Sequence, residues 1–143
     1  MGRLIMLAGI LACVSCNGST LTGPPNFAGN WAGAISGTRA SDGTLALTLT
    51  QQPLILTPPG TGTQDQLEGT WAATFSDEAA DGGGTASGDA RNSSVSLTLT
   101  PGAPGQCAYE LTGTLTSTTT MQGTYRTSSC TTPDTGTFAV TKQ

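Results

Sequence analysis

The residues of this chain that could do chemistry are above all its four cysteines, Cys13, Cys16, Cys107 and Cys130. A cysteine can carry a covalent modification, pair in a disulfide or act in redox exchange. The 143 residues include no histidine, which excludes Ser-His-Asp and Cys-His catalysis and removes the commonest metal ligand. No arrangement of residues typical of catalysis is present, so we expect no enzyme, no metal centre and no cofactor.

An acidic stretch is the other candidate for chemistry. Between Ser76 and Asp89 the chain carries Asp77, Glu78 and Asp81 close to three consecutive glycines. Clustered carboxylates can bind calcium, but their spacing here is not that of a known calcium loop. An acidic turn exposed to solvent is therefore the favoured interpretation.

The N-terminus has the form of a targeting segment. Arg3 precedes nine apolar residues, 4–12, a run shorter than the ~20 residues that a membrane-spanning helix needs. A short basic start followed by such a run is typical of a signal peptide. Loss of Arg3 would leave four basic and nine acidic residues, a net charge of −5, which argues against binding to nucleic acid.

Two cysteines follow the apolar run and resemble the lipid-attachment site of bacterial lipoproteins. Cys16 is favoured as the lipidated residue, because its use leaves Cys107 and Cys130 to pair with each other. Cys13 is the alternative, and a plain secretory signal is a further one. The interpretation divides the chain into a cleaved signal peptide (1–15), a flexible tether (16–26) and a domain (27–143), anchored in the cell envelope at the outer membrane, facing the periplasm or the cell surface.

Any functional site must be positioned by the domain, whose sequence has one dominant pattern. Apolar and polar side chains alternate with period two, the signature of half-buried strands. Short Gly-, Asp- and Asn-rich turns join the runs, which favours an antiparallel meander. We predict an all-β fold, a single up-and-down eight-stranded antiparallel barrel, from runs at 27–36, 45–50, 67–75, 84–88, 94–100, 109–115, 121–125 and 136–140.

The faces of these strands suggest a barrel with a water-facing exterior. On one face, glycines alternate with large residues, as in Gly29-Asn30-Trp31 and Gly69-Thr70-Trp71, a pattern that suits a small closed barrel. The other face carries mostly Thr, Ser, Ala and Asp, which suit water rather than lipid. An irregular segment, 52–60, is expected either to extend the second strand past a bulge or to fold over one barrel mouth.

The strand pairing predicts a disulfide. If Leu115 faces Met121 across the sixth and seventh strands, Cys107 faces Ser129 and lies one residue away from Cys130. That separation allows a disulfide after a small bulge, with a stabilisation of about 3 kcal/mol from loop closure. A redox pair is the weaker alternative, since neither CxxC spacing nor an activating base is present.

The domain resembles a known group of barrels. The segment Phe27-Ala28-Gly29-Asn30-Trp31 is similar to the first strand of lipocalin-like and avidin-like barrels, where G-x-W begins strand one. The later G-T-W, G-T-L, G-T-Y and G-T-F triplets resemble those of small bacterial lipocalin-like lipoproteins of unassigned function. The resemblance implies a barrel that carries a small hydrophobic ligand, and it covers 27–142.

Two functions remain open at this point. In the first, Trp31, Trp71, Tyr109 and Tyr125 line a pocket for a small hydrophobic ligand; the alternative for these four is an ordinary packed core. In the second, a filled barrel binds another protein, as small periplasmic protease inhibitors do, with residues 21–26 as the extended segment. In either case we expect a monomer whose membrane contact is its lipid anchor.

Overall fold

A computed structural model describes residues 25–54 and 64–143. The described residues form eight strands and one short 3-10 helix. The strands are β1 (Gly29–Gly37), β2 (Ser41–Pro53), β3 (Gln64–Phe75), β4 (Gly82–Arg91), β5 (Ser94–Pro101), β6 (Ala108–Ser117), β7 (Thr120–Ser128) and β8 (Thr135–Lys142), and the 3-10 helix is Glu78–Ala80.

The strands form a closed antiparallel barrel, as the alternation predicts. Each strand pairs with the next one along the chain, and β8 pairs with β1 to complete the circle. The predicted register of β6 and β7 is confirmed, with Leu115 opposite Met121 and Leu111 opposite Tyr125. Closure removes the free strand edges that Thr-rich strands would otherwise expose.

Glycines on the inner face allow the strands to bend around a narrow core. Gly33 lies between Leu45 on β2 and Val140 on β8, and a Cβ at Gly33 would collide with the backbone of β8. The large inward side chains form one buried cluster. Its completely buried members include Trp31, Leu67 and Met121, so side chains of the protein itself fill the middle of the barrel.

The structure differs from the sequence-based expectation at the first strand. The alternation assigns Phe27 to the inner face of that strand, whereas β1 begins at Gly29. Gly29 has a φ of +122°, a conformation that glycine adopts easily and that turns the preceding chain across the barrel opening. Phe27 is completely buried there, although it does not belong to a strand.

The second strand continues further than its apolar run indicated. It pairs with β3 in unbroken register as far as Pro53 opposite Asp65, so it reaches Pro53 without the expected bulge. Residues 55–63, which include the last six positions of that irregular segment, lie outside the described residues, as do Cys13 and Cys16. No helix within the described ranges has the length and apolar character needed to cross a membrane.

We call the two ends of the barrel the closed end and the loop end. The closed end is the one where β1 begins and β8 finishes, and it holds Phe27. The loop end is the opposite one, where the connections 38–40, 76–81, 102–107 and 129–134 meet.

Candidate functional site

The loop end contains a cavity of about 370 Å³, a size within the range of small-ligand pockets. All four loop-end connections contribute to its wall, and the ends of β4, β6 and β7 complete it. The lining combines small apolar residues, one tyrosine and several polar and charged side chains: Arg39, Ala40, Asp77, Ala79, Ala80, Asp81, Gly82, Gly105, Gln106, Cys107, Tyr109, Thr127, Thr132 and Asp134.

An aromatic cluster packs beneath the cavity. Only its member Tyr109 lines the cavity, and the centroid of the Tyr109 ring lies 5.3 Å from that of Trp71, 5.6 Å from that of Tyr125 and 6.3 Å from that of Phe75. The Tyr109 hydroxyl donates to the carbonyl oxygen of Ala80 at 3.1 Å. The rigid β6 strand and the 3-10 helix therefore hold the ring in place.

The structure brings three of the four predicted ligand-lining aromatics together and separates the fourth. Trp71, Tyr109 and Tyr125 share the cluster, but only Tyr109 lines the cavity. Trp31 lies at the closed end, where its indole N–H donates to the carbonyl oxygen of Phe27 at 2.8 Å. That all four line one pocket remains a sequence-based prediction.

Asp134 is a buried carboxylate that joins the connections around the cavity. Its Oδ1 accepts from the backbone N–H of Arg39 at 3.0 Å, and its Oδ2 accepts from Ala40 N at 3.3 Å and from the Tyr125 hydroxyl at 3.2 Å. Its own backbone pairs with Thr127, through Asp134 N to Thr127 Oγ1 at 2.6 Å and Thr127 N to Asp134 O at 2.8 Å. These bonds hold the 38–40 turn against the 129–134 connection.

Asp134 has no sequence signal that marks it as a site residue. The residue stands in a Thr-Thr-Pro-Asp-Thr segment, which has the composition of an ordinary exposed turn. Its isolation from the acidic stretch removed the only signal that could have drawn attention to it.

The acidic stretch provides two further carboxylates at the cavity, Asp77 and Asp81. Asp77 caps the 3-10 helix by accepting from Ala79 N at 3.2 Å, while Asp81 Oδ1 accepts from Phe75 N at 2.6 Å. The carbonyl oxygen of Asp81 accepts from the Gln106 side chain at 3.0 Å. Asp77 is exposed, as expected of a solvated turn, but Asp81 is half-buried. The described residues contain no group of three or more His, Cys, Asp or Glu arranged to hold a metal ion.

The environment keeps both tyrosines of this region protonated. Burial is the main cause that raises the pKa of Tyr109, and the negative charges of Asp134 and Asp81 raise it further. Burial likewise raises the pKa of Tyr125, assisted by the charge of Asp134 and by the hydrogen bond to it. At neutral pH both phenols are therefore hydrogen-bond donors.

A disulfide stabilises one side of the loop end. Cys107 and Cys130 are bonded, with their Cα atoms 5.2 Å apart, as the strand register predicts. Paired strands finish at Ala108 and Ser128, and Ser129, at a φ of +60°, turns the chain so that Cys130 reaches Cys107. The bond ties the 102–107 connection to the 129–134 connection beside the cavity.

The closed end is filled by the chain itself. The buried Phe27 is followed closely by the turn into β1, and side chains from β1, β2 and β8 bind the backbone of residues 25–27. Gln51 Oε1 accepts from Phe27 N at 2.6 Å, and Gln51 Nε2 donates to the Pro25 carbonyl oxygen at 3.2 Å. Lys142 Nζ donates to the Asn26 carbonyl oxygen at 3.2 Å and lies 5.2 Å from the centroid of the Trp31 ring.

Comparison of this chain with protein-family models, with curated proteins and with solved structures finds no match. The structure alone therefore defines its class: a closed eight-stranded antiparallel barrel with one self-filled end and one end that opens into a cavity.

Proposed function

We propose that this protein is a lipid-anchored envelope protein that binds a small ligand in the cavity at the loop end. The observation that carries the proposal is the cavity of about 370 Å³ above Tyr109. Small apolar side chains of Ala40, Ala79 and Ala80 form part of its wall and leave room for an apolar ligand body. Polar groups among them would orient the ligand.

The position of the cavity, at the mouth rather than deep inside, follows from how the core is packed. The inward side chains of the strands fill the middle of the barrel, and Phe27 fills the closed end. A ligand would therefore lie among the loop-end connections, beside Tyr109, instead of entering between the strands. It would be nearer to Tyr109 than to Trp31.

The proposed anchor fits this arrangement. A lipid on Cys16 would be joined to Pro25 by eight residues, 17–24, which span at most about 28 Å when fully extended. From Pro25 onward, Gln51 and Lys142 bind the chain to the closed end. The closed end would thus be nearer to the membrane, and the cavity would face away from it.

Binding is tested by native mass spectrometry of the mature chain purified from an oxidising periplasm. We expect a non-covalent adduct that is lost on denaturation. The adduct should disappear in Ala80→Phe, which puts a large ring into the cavity, and should persist in Ala46→Phe, which adds the same ring on the exposed outer face of β2. An adduct that survives in Ala80→Phe would place the ligand elsewhere, and a chain that retains no adduct and binds nothing from an envelope extract would contradict the proposal.

The anchor is tested separately by incorporation of a labelled fatty acid. We expect Cys16→Ser to abolish labelling and Cys13→Ser to retain it. The reverse result would assign the lipid to Cys13, and an unlabelled parent chain would leave a plain secretory signal as the explanation.

The filled core favours one second candidate, a barrel that docks on a protein through its loop end. The disulfide and Asp134 hold the loop-end connections in one arrangement, which would suit a preorganised docking surface. Pro25 and Asn26, part of the segment expected to extend towards a protease, are bound to the barrel instead. Inhibition of an envelope metalloprotease by the mature chain, lost on substitution of Arg39 and Asp77, would favour this candidate.

A further inference from the structure

We propose that the loop-end cavity prefers ligands with an apolar body and a positively charged amine head over neutral or anionic ligands of the same shape. The inference rests on the proposed function, since it names the class of ligand for that same cavity. The tyrosine floor and alanine walls provide the binding surface, and the charges around them set the sign of the head group.

The charged groups of the cavity differ in depth according to their sign. Asp134 is only 9% exposed and Asp81 is half-buried, whereas Arg39 and Asp77 are exposed. The two exposed charges are opposite in sign and lie in water, where screening weakens them. The two deeper charges are both negative and act through a less polar medium. The inner part of the cavity is therefore negative.

The hydrogen-bond donors of the inner wall are already used by the protein. The Tyr109 hydroxyl donates to the Ala80 carbonyl oxygen, and the Tyr125 hydroxyl donates to Asp134. The Gln106 side-chain N–H donates to the carbonyl oxygen of Asp81. A ligand carboxylate would thus compete with established bonds for each of these hydrogens.

Backbone N–H groups near the cavity are also hydrogen-bonded within the protein. The N–H groups of Arg39 and Ala40 bind Asp134, and that of Phe75 binds Asp81. A carboxylate has four lone-pair sites, and Asp81 receives this one donor, at Oδ1, from the residues that the structure describes. Asp134, by contrast, accepts four hydrogen bonds, since the backbone N–H of Thr135 also donates to its Oδ1 at 2.9 Å. An ammonium head brings three donors of its own and needs only acceptors, so it fits the side of the cavity where Asp81 accepts a single hydrogen bond.

The raised pKa of Tyr109 is consistent with the same negative potential in the cavity. The charges of Asp134 and Asp81 both raise the pKa of Tyr109, which means that they disfavour a negative charge at the floor of the cavity. A cation placed there would be favoured by the same charges.

Three probes of nearly equal shape test the inference on the full mature chain: phenethylamine, 2-phenylethanol and phenylacetate. Their affinities are measured by calorimetric titration at low and at physiological salt. We expect the amine to bind about tenfold more tightly than the alcohol and the acid to bind more weakly than either. Equal affinities, or tighter binding of the alcohol or the acid, would overturn the inference while leaving the binding cavity in place. Absence of binding by all three, in a chain that also shows no adduct, would overturn the proposed function itself.

Variants of the carboxylates separate charge from folding. Asp81→Asn keeps an oxygen that can accept from Phe75 N but removes the charge, and we expect it to abolish most of the preference for amine over alcohol. Asp89→Asn removes an exposed carboxylate on the outer face of β4 and should leave the preference unchanged. The ratio of the two affinities is the deciding measurement, because a general disturbance of the cavity would weaken both probes alike. A ratio that is unchanged in Asp81→Asn would overturn the inference.

Discussion

The two ends of this barrel differ in how they shield backbone groups and the apolar core from water. Each end leaves polar backbone groups and part of the apolar core near water. At the closed end, Phe27 covers the core, and side chains of Gln51, Trp31 and Lys142 bind the backbone around it. At the loop end, the carboxylate of Asp134 binds the backbone of the 38–40 turn and that of Asp81 binds the end of β3, and a cavity lined in part by Tyr109 remains among the described connections.

The difference shows what makes one end of a packed barrel available to a ligand. The N-terminal segment supplies the closed end with both an apolar side chain and partners for the polar groups. At the loop end, the described connections bind one another, and they leave a cavity beside Tyr109. Since the core between the two ends is filled, a ligand of this barrel would have to bind at an end and not in the interior.

The largest effect that would break this comparison is expected at Phe27. Phe27→Ala removes a completely buried ring and should lower the free energy of unfolding by about 3–5 kcal/mol, measured by urea denaturation. Leu54→Ala is the matched control, because Leu54 is 41% exposed, and it should change the stability by no more than about 0.5 kcal/mol. A loss at Phe27 as small as that at Leu54 would mean that the closed end is not sealed by this residue.

The Cys107–Cys130 disulfide should make the next largest contribution to the free energy of unfolding, and it acts at the loop end. Replacing Cys107 and Cys130 together by serine should cost about 2–4 kcal/mol. Hydrogen exchange should become faster in 102–107 and 129–134, while amides of β1 and β8 near the closed end keep their protection. Uniformly faster exchange over the whole barrel would show that the two ends are not separable.

Asp134 should make a smaller contribution, again confined to the loop end. Asp134→Ala leaves the backbone N–H groups of Arg39 and Ala40 without their acceptor, for which we expect a cost of about 1–3 kcal/mol. Asp89→Ala, on the exposed outer face, is the control and should be nearly neutral. If the two variants are equally stable, the carboxylate does not hold the 38–40 turn in place.

The ionisation of the two tyrosines should have the smallest effect on stability at neutral pH. It sharpens the comparison, because both phenols lie at the loop end. In the folded protein the pKa values of Tyr109 and Tyr125 are raised above the ordinary value of 10.0. The unfolded chain therefore loses these protons first, so this stabilisation is fully present below pH 10 and is lost as the pH rises through the folded-state values.

Ultraviolet absorbance of tyrosinate checks this titration. The chain has only these two tyrosines, so the urea-unfolded protein is the reference, and the folded protein should ionise at higher pH. Tyr109→Phe and Tyr125→Phe each leave one phenol to titrate alone. Coincident folded and unfolded curves would contradict the burial of both hydroxyls.

The sequence predicted the regular part of the fold closely because strands depend on a local rule. Alternation of Leu45, Leu47 and Leu49 with small polar residues places one face in the core wherever the strand lies. The register of β6 against β7 then led to the Cys107–Cys130 bond, since a short hairpin determines which residues face each other. Phe27 was assigned to a strand because it continues the alternation, although the chain turns at Gly29.

The candidate site could not be obtained in the same way. Residues that line the cavity are separated in sequence by as many as 95 positions, from Arg39 to Asp134. Asp81 lay in a stretch interpreted as a solvated turn, and Asp134 in another turn with no distinguishing pattern. Trp31 and Trp71 carry the same Gly-polar-Trp motif, yet they serve opposite ends of the barrel.

By itself, the sequence determined the strands, their antiparallel order, the inward and outward faces and the pairing of two cysteines, because each of these follows from side-chain alternation and short turns. The tertiary structure decided which end is closed and which is open. Strands in a closed barrel are staggered, so residues in one row drift from one end towards the other around the circumference; in this barrel Trp31, Leu47 and Trp71 are successive cross-strand partners. That stagger brings Trp71 against Tyr109 at the loop end and leaves Trp31 beside Phe27. The size of the stagger is set only when the whole barrel closes.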